Sequence, residues 1–150
     1  QRGIVNLHTL DSISIGVMIC YDSEFGDQVR KTTLAGAELL AIITNDGWWG
    51  RSSGYIQHAH FTSLRAIENR RSVVRTANTG ISLFADVKGR LYQETGFWEE
   101  AVIDQSLKLY TGKTFYAKQG DFLGRVAAWA TLVISILAIV WSFWIHRSGS

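Results

Sequence analysis

The sequence predicts an α/β protein with a largely parallel sheet, followed by one C-terminal transmembrane helix. Two observations predict the sheet: residues 12–20 alternate with a period of two, and residues 39–44 form a continuous apolar run, as in strands covered on both faces. A third observation predicts the membrane helix, because residues 126–145 contain no formally charged side chain and are long enough to cross a bilayer. We therefore expect two domains, residues 1–120 and residues 121–150.

Composition narrows the class of protein. The chain has 150 residues and a net charge of +2, from 15 basic and 13 acidic residues, so it predicts no attraction to nucleic acid. Its one cysteine, Cys20, excludes an internal disulfide and leaves the redox compartment open. The alternative to a membrane helix at residues 126–145 is a buried helix of a large soluble core, which is rarely so long and uniform.

The first elements read as strand, helix and strand. After the strand at residues 12–20, residues 28–37 lack alternation and fit a short helix, which leads to the strand at residues 39–44. Residues 45–54 form a loop of turn-forming residues around two tryptophans. This order favours parallel strands, whose carboxyl ends meet at one edge of the sheet, where ligands bind in α/β proteins.

A second helix and two more strands follow. We expect the helix over residues 55–71, with Ser53 as a possible N-cap. Residues 72–77 and 81–87 predict strands joined by the turn Asn78-Thr79-Gly80, with further short strands to about residue 110. The expected helix carries one shared apolar face, formed by Ile56, Ala59, Leu64 and Ile67.

Cys20 is the candidate nucleophile, since it follows an apolar strand and precedes a polar turn. A thiol attacks as its thiolate and needs activation, because the pKa of a free thiol is about 8.5. The helix after the turn is expected to offer amides that stabilise an anion. Asp22 and Glu24 are close in sequence but, as carboxylates, would orient other groups rather than activate sulfur. The alternative is a buried structural cysteine.

Three segments together resemble the C-terminal part of the bacterial apolipoprotein N-acyltransferases, in the nitrilase or carbon–nitrogen hydrolase superfamily. They are ICYDSEFG, ITNDGWWG and QHAHFTSLRAIENRRSVVRTANTGIS. The resemblance implies an α-β-β-α sandwich, of which residues 1–120 are the C-terminal portion, and a transmembrane helix in residues 121–150. It also implies the bacterial inner membrane, with the catalytic part facing the periplasm.

The resemblance further implies an acyl transfer without a cofactor. Cys20 matches the cysteine of a Glu-Lys-Cys triad and would take an acyl group from a phospholipid as a thioester, then pass it to the amine of a diacylglyceryl-modified apolipoprotein. Tyr21 matches the aromatic residue after the nucleophile. Trp48 and Trp49 match a mobile loop near the site, where they would contact acyl chains. The alternative is that both side chains pack in the core and hold the loop in place.

Two departures from the family pattern matter. The family has a glutamate two residues after the cysteine, whereas this chain has Asp22, and the sequence does not decide whether Glu24 substitutes for it. The triad's glutamate and lysine lie upstream in the family, but residues 1–19 contain neither residue type. We therefore expect this chain to be a C-terminal fragment that is inactive alone.

Other polar residues have plainer expectations. His58 and His60 are two apart and do not share a helix face, so we expect no metal site. Arg65 and Glu68 are spaced to pair on a helix. Together with Arg71 and Arg75, they are expected to form structural ion pairs. Asn78 is expected to shape its turn. Asn45 ends a predicted strand and is expected to position the tryptophan loop.

Two other functions remain open on the sequence alone. The same thiol chemistry with water as acceptor would give an amidase- or nitrilase-type hydrolase, although most of these enzymes are soluble. A catalytically dead, membrane-anchored module that binds lipid or partners is the third reading.

Overall fold

The computed structural model describes residues 4–9 and 12–148. The chain divides into two units, Gln1–Lys118 and Gln119–Ser150, each described by itself. The described strands are β1 (Val5–His8), β2 (Ser14–Ile19), β3 (Leu39–Thr44), β4 (Ser72–Ala77), β5 (Leu83–Ala85) and β6 (Leu91–Tyr92). The α-helices are α1 (Gly26–Leu34), α2 (Ser53–Asn69), α3 (Phe115–Gln119) and α4 (Phe122–Ser148), with 3-10 turns at Cys20–Glu24 and Gly47–Trp49.

The strands form one sheet in the order β1-β2-β3-β4-β5-β6. The central strands β2, β3 and β4 are parallel, as predicted, while β1, β5 and β6 add antiparallel strands at the sides. Ile19 pairs with Ile43, and Thr44 pairs with Ala77, so the three parallel strands end together. We call this side of the sheet the carboxyl edge; Cys20, Asn45 and Asn78 each follow a strand there.

The core lies between one face of the sheet and helices α1 and α2. Its buried side chains include Met18 from β2, Leu40 and Ile42 from β3, Val73 from β4 and Val29 from α1. Alternate residues of each strand face these helices, which is the period of two expected of strands with one covered face.

The opposite face of the sheet is apolar but less covered within the described residues. Ile15, Val17 and Ala41 are only partly buried, while Ile19 and Ile43 are 56% and 48% exposed. A sheet with two apolar faces needs a layer on each. The first unit therefore has the composition of a partial sandwich, as the sequence suggested.

Helix α2 differs from its sequence prediction in two ways. It begins at Ser53, and its N-cap is Ser52, whose side chain accepts a hydrogen bond from the Gly54 amide at 3.2 Å. Its supposed inner face is mostly outward, since Leu64 and Ile67 are 43% and 49% exposed. The buried face is instead largely polar: His58, Thr62, Arg65 and Asn69.

Smaller differences concern element boundaries. The strand expected at residues 12–20 spans Ser14–Ile19, and the helix expected at residues 28–37 spans Gly26–Leu34. The strand expected at residues 81–87 is only Leu83–Ala85. Strand β1 was not predicted from the sequence. Of the short strands expected up to about residue 110, only β6 is present, since no described residue between Tyr92 and Phe115 belongs to a strand.

The second unit is built on α4. Its stretch Phe122–Ser142 is long and apolar enough to cross a membrane. This stretch is exposed along its described length, with Trp129 and Trp141 69% and 63% exposed. Such exposure is unlike a core helix of a soluble protein and fits a helix solvated by lipid.

Candidate active site

Cys20 lies where β2 ends, on a backbone with a φ of 49°. This left-handed conformation is uncommon for a residue with a Cβ and is found where a sharp turn presents a nucleophile after a strand. The thiol is free and partly exposed. The geometry therefore places Cys20 at the carboxyl edge rather than in the aliphatic core.

The 3-10 turn Cys20–Glu24 is held from inside the protein. The Ser23 hydroxyl, which is fully buried, donates to the Cys20 carbonyl at 2.9 Å. Arg65 of α2 donates from Nε to the Ser23 carbonyl at 2.8 Å and from Nη2 to the Glu24 carbonyl at 3.0 Å. Arg65 also pairs with Glu68, which confirms the expected ion pair. The contact of Arg65 with the turn Cys20–Glu24 was not expected.

A turn and then a helix follow Cys20, as predicted. The 3-10 turn Cys20–Glu24 comes first, and α1 begins at Gly26. The first-turn amides of α1 are therefore separated from the cysteine by this turn.

Asn45 connects two loops of the carboxyl edge. Its Oδ1 accepts from the Gly47 amide and from the Thr79 hydroxyl, each at 3.1 Å. The Asn78 amide donates to the Thr44 carbonyl at 3.0 Å, which closes the neighbouring turn. The side chain of Asn45 thus contacts the tryptophan loop, where the sequence analysis expected it to act.

An aromatic rim, formed by Tyr21, Phe25, Trp48 and Trp49, lies along the carboxyl edge. Tyr21 stacks on Trp49 with ring centroids 6.5 Å apart, and Trp49 contacts Trp48 at 5.1 Å. Trp48 is 70% exposed. These rings form an open apolar surface rather than a sealed core.

A buried polar cluster lies beneath this edge. The ion pair expected of Arg75 is part of it, but the roles of Asp46 and His58 were not predicted from the sequence. Asp46 accepts from His58 Nδ1 at 2.8 Å, from the Thr44 hydroxyl at 2.9 Å and from Arg75 Nη2 at 2.7 Å. Asp46, His58 and Arg75 are each at most 1% exposed. Gly80 allows this packing, since a Cβ there would lie 2.2 Å from Asp46 Oδ2.

The charges in this cluster support one another. Burial alone would raise the pKa of Asp46, but the His58 hydrogen bond, the Arg75 charge and the Thr44 hydrogen bond together lower it below its usual value. Burial lowers the pKa of Arg75 from its usual value, and Asp46 opposes that shift, as do Cys20 and Glu24. The Asp46 carboxylate and the Arg75 guanidinium therefore form a buried ion pair.

Glu24 approaches the cluster. The Glu24 side chain is 17% exposed, and its Oε1 lies 4.0 Å from His58 Nε2. Asp22 is partly buried in the same turn, where its carbonyl accepts from the Phe25 amide. Within residues 4–9 and 12–148, no group of His, Cys, Asp and Glu side chains is arranged to hold a metal ion.

Comparison with protein families gives one match over most of the chain. A model of the family described as carbon-nitrogen hydrolase matches residues 3–115.

Similar curated proteins include three named apolipoprotein N-acyltransferase. The protein of Chlorobaculum tepidum is 42% identical over 82% of this chain, that of Geobacter metallireducens 39% over 83%, and that of Shewanella oneidensis 33% over 79%. The chain spans 23%, 24% and 23% of the lengths of these relatives, respectively.

Solved structures of similar fold include an amidase from Nesterenkonia sp., with a TM-score of 0.53 and 21% identity over 65% of this chain and 38% of the amidase. A mutant of the Nesterenkonia sp. AN1 amidase, with the acetamide moiety of fluoroacetamide added covalently at its active-site cysteine, has the same TM-score, identity and coverage. This likeness confirms the nitrilase-like fold expected from the sequence.

Proposed function

Because the chain belongs to the carbon-nitrogen hydrolase family, we propose that it is the C-terminal part of an apolipoprotein N-acyltransferase in which Cys20 carries the acyl group. The similarity to curated acyltransferases supports the choice within the family. The part of the acyltransferase that this chain does not cover would supply the remaining catalytic groups, including a glutamate and a lysine.

The observation that carries this proposal is the presentation of Cys20. Its thiol is free and partly exposed at the end of β2, on a left-handed backbone that the buried Ser23 and Arg65 hold in place. A nucleophile needs a fixed approach to the reacting carbonyl, and a turn held in this way provides one. The adjacent aromatic rim suits an acceptor or donor with long apolar chains.

The reaction has two steps that balance in bonds and protons. The Cys20 sulfur attacks an ester carbonyl of a phospholipid; the carbon–oxygen bond breaks, the lysophospholipid hydroxyl takes the thiol proton, and a thioester forms. The α-amine of a diacylglyceryl-modified apolipoprotein then attacks the thioester. An amide forms, and its nitrogen loses a proton as the Cys20 thiol is restored.

In this proposal four side chains shape the site: Tyr21, Asp22, Glu24 and Asn45. The acyl chains are contacted by Trp48 and Trp49. Residues 1–120 belong to the catalytic domain and residues 121–150 to the membrane anchor. The Phe122–Ser142 stretch supports an attachment to a membrane. In this proposal it is the inner membrane, with the catalytic part on the periplasmic side.

Intact mass spectrometry of the full-length protein that carries this chain tests the proposal. After incubation with phospholipid vesicles, we expect an acyl adduct on Cys20 that hydroxylamine removes, that disappears when a lipopeptide amine is added, and that Cys20→Ala abolishes. Turnover of a small amide without a lipid adduct would instead identify a hydrolase. No reaction with either substrate would favour a binding module.

A further inference from the structure

We propose that His58 is a positioning residue for the nucleophile turn, Cys20–Glu24: its Nε2 holds the Glu24 carboxylate through one bridging water, while Asp46 fixes the opposite side of the ring. This proposal rests on the proposed function in one respect only, that Cys20 is the nucleophile. It gives a chemical role to a histidine for which the sequence suggested none.

The orientation of the His58 ring follows from its contact with Asp46. An ionised carboxylate can only accept hydrogen bonds, so Nδ1 is the donor in the 2.8 Å contact with Asp46 Oδ1. Asp46 is itself held by Thr44 and Arg75, and Arg75 Nε donates to the Ile81 carbonyl at 3.2 Å. The ring therefore has one fixed tautomer on this side, and its second nitrogen is turned away from Asp46.

The second nitrogen, Nε2, is buried and has no hydrogen-bond partner among the described residues. Its nearest ionic group is Glu24 Oε1, at 4.0 Å. A buried polar atom without a partner is costly, and with the hydrogen on Nδ1 both Nε2 and the carboxylate are acceptors. One bridging water that donates to each of them is therefore favoured. The charged groups that face the ring are Asp46, Arg75 and Glu24, with the Tyr21 ring 6.0 Å away.

Glu24 transmits this contact to Cys20, because the two residues are the ends of the same 3-10 turn. Arg65 holds the main chain of that turn at the carbonyls of Ser23 and Glu24. His58 would hold its side-chain end. The effect of Cys20 and Glu24 on the pKa of Arg75 agrees with this arrangement, since it requires both residues to lie close to the buried cluster.

Two substitutions separate positioning from simple packing. Asn at position 58 keeps an N–H where Nδ1 stands, so His58→Asn retains the Asp46 bond and loses the Glu24 contact. Gln at this position extends an N–H to where Nε2 stands, so His58→Gln retains the Glu24 contact and loses the Asp46 bond. A purely structural histidine would favour Asn, whereas a positioning histidine favours Gln.

The test measures two rates on the full-length protein in detergent: acyl-adduct formation on Cys20 from phospholipid, and alkylation of Cys20 by iodoacetamide. We expect His58→Asn to slow both by roughly 10- to 100-fold, as misplacement of a reacting group does, while His58→Gln keeps most of both rates but melts at a lower temperature. Glu24→Ala removes the group that His58 holds and should slow both rates as His58→Asn does, and the double variant should show no further loss. The matched control is His60→Asn, an exposed histidine of the same helix, which should change neither rate.

Equal rates for the two His58 variants, or losses that follow melting temperature alone, would overturn the positioning role. If His58→Asn does not fold, Glu24→Ala decides the matter, and an unchanged Cys20 alkylation rate there rejects the proposal. If the unsubstituted protein forms no acyl adduct, the proposed function fails. The alkylation rates still test whether His58 positions Cys20.

Discussion

At Cys20 the backbone strain has an identifiable support. A φ of 49° costs a residue with a Cβ about 1 kcal/mol or more. The hydrogen bonds from Ser23 and Arg65 keep the turn in this conformation. Strain that is held in place from the interior is typical of functional sites, and here it falls on the residue that the sequence selected as the nucleophile.

Asp46 is the residue on which the buried cluster depends, so its replacement should be severe. Asp46→Asn leaves the Arg75 guanidinium buried without a counter-charge, and we expect it to destabilise the first unit by about 3 kcal/mol. Hydrogen exchange of the β3 and β4 amides in the full-length protein measures the loss. Unchanged protection of those amides would mean that the ion pair contributes little to the fold.

The same substitution should flatten the response to acid. The pKa of Asp46 is lower in the folded protein than its usual value of about 3.9, so its stabilising contribution is complete above about pH 5 and is lost as the pH falls below about 4. Asp27 and Asp86 also have lowered pKa values, but both remain in the variant. The difference in melting temperature between the unsubstituted protein and Asp46→Asn, measured from pH 7 to pH 3, therefore isolates the contribution of Asp46. A difference that stays constant with pH would contradict the lowered pKa of Asp46.

Among the elements, α2 links the buried cluster to the nucleophile turn. Its buried face presents His58 to Asp46 and, about two helical turns further along, Arg65 to the Cys20–Glu24 turn. Polar residues occupy this face because they serve contacts at the end of the sheet, and the apolar residues Leu64 and Ile67 are left outward. The usual rule that the apolar face of a helix is the buried one therefore fails for α2.

The N-terminus of α2 offers a precise test of its cap. Ser52→Ala removes the hydrogen bond to the Gly54 amide and should destabilise the helix by about 1 kcal/mol. Ser53→Ala is the matched control, because Ser53 is the first helical residue and alanine is the better helix former. Thermal unfolding of the two variants should rank them in that order, and the reverse ranking would restore Ser53 as the cap.

The sequence was most informative where a single physical signal dominated. The strands β3 and β4 have the predicted bounds. For β3 the signal was a continuous apolar run, which is typical of a strand with two apolar faces. The buried cluster could not be predicted as a site, because Asp46, His58 and Arg75 meet only after the sheet has formed. One signal was available: Arg75 shares the inward face of β4 with Val73, and a buried arginine needs acceptors for its hydrogen bonds, such as a carboxylate.

In the first unit, the face of the sheet opposite α1 and α2 is only partly covered by the described residues. Aliphatic residues from β2 and β3, such as Val17 and Ile43, lie on the face opposite α1 and α2. The curated relatives are about four times as long as the region they share with this chain. A second layer contributed by the rest of the protein would bury this face and complete the sandwich.

Cysteine accessibility in the full-length protein tests that expectation. In a Cys20→Ala background, Val17→Cys should react with a water-soluble maleimide far more slowly than Lys88→Cys, because a second layer excludes the reagent from the sheet face. Lys88 is a suitable control, since it lies in the exposed turn between β5 and β6. Denatured protein gives the reference for complete labelling of both variants. Equal labelling of the two positions before denaturation would show that this sheet face stays open, and the sandwich would then be wrong even if Cys20 carries an acyl group.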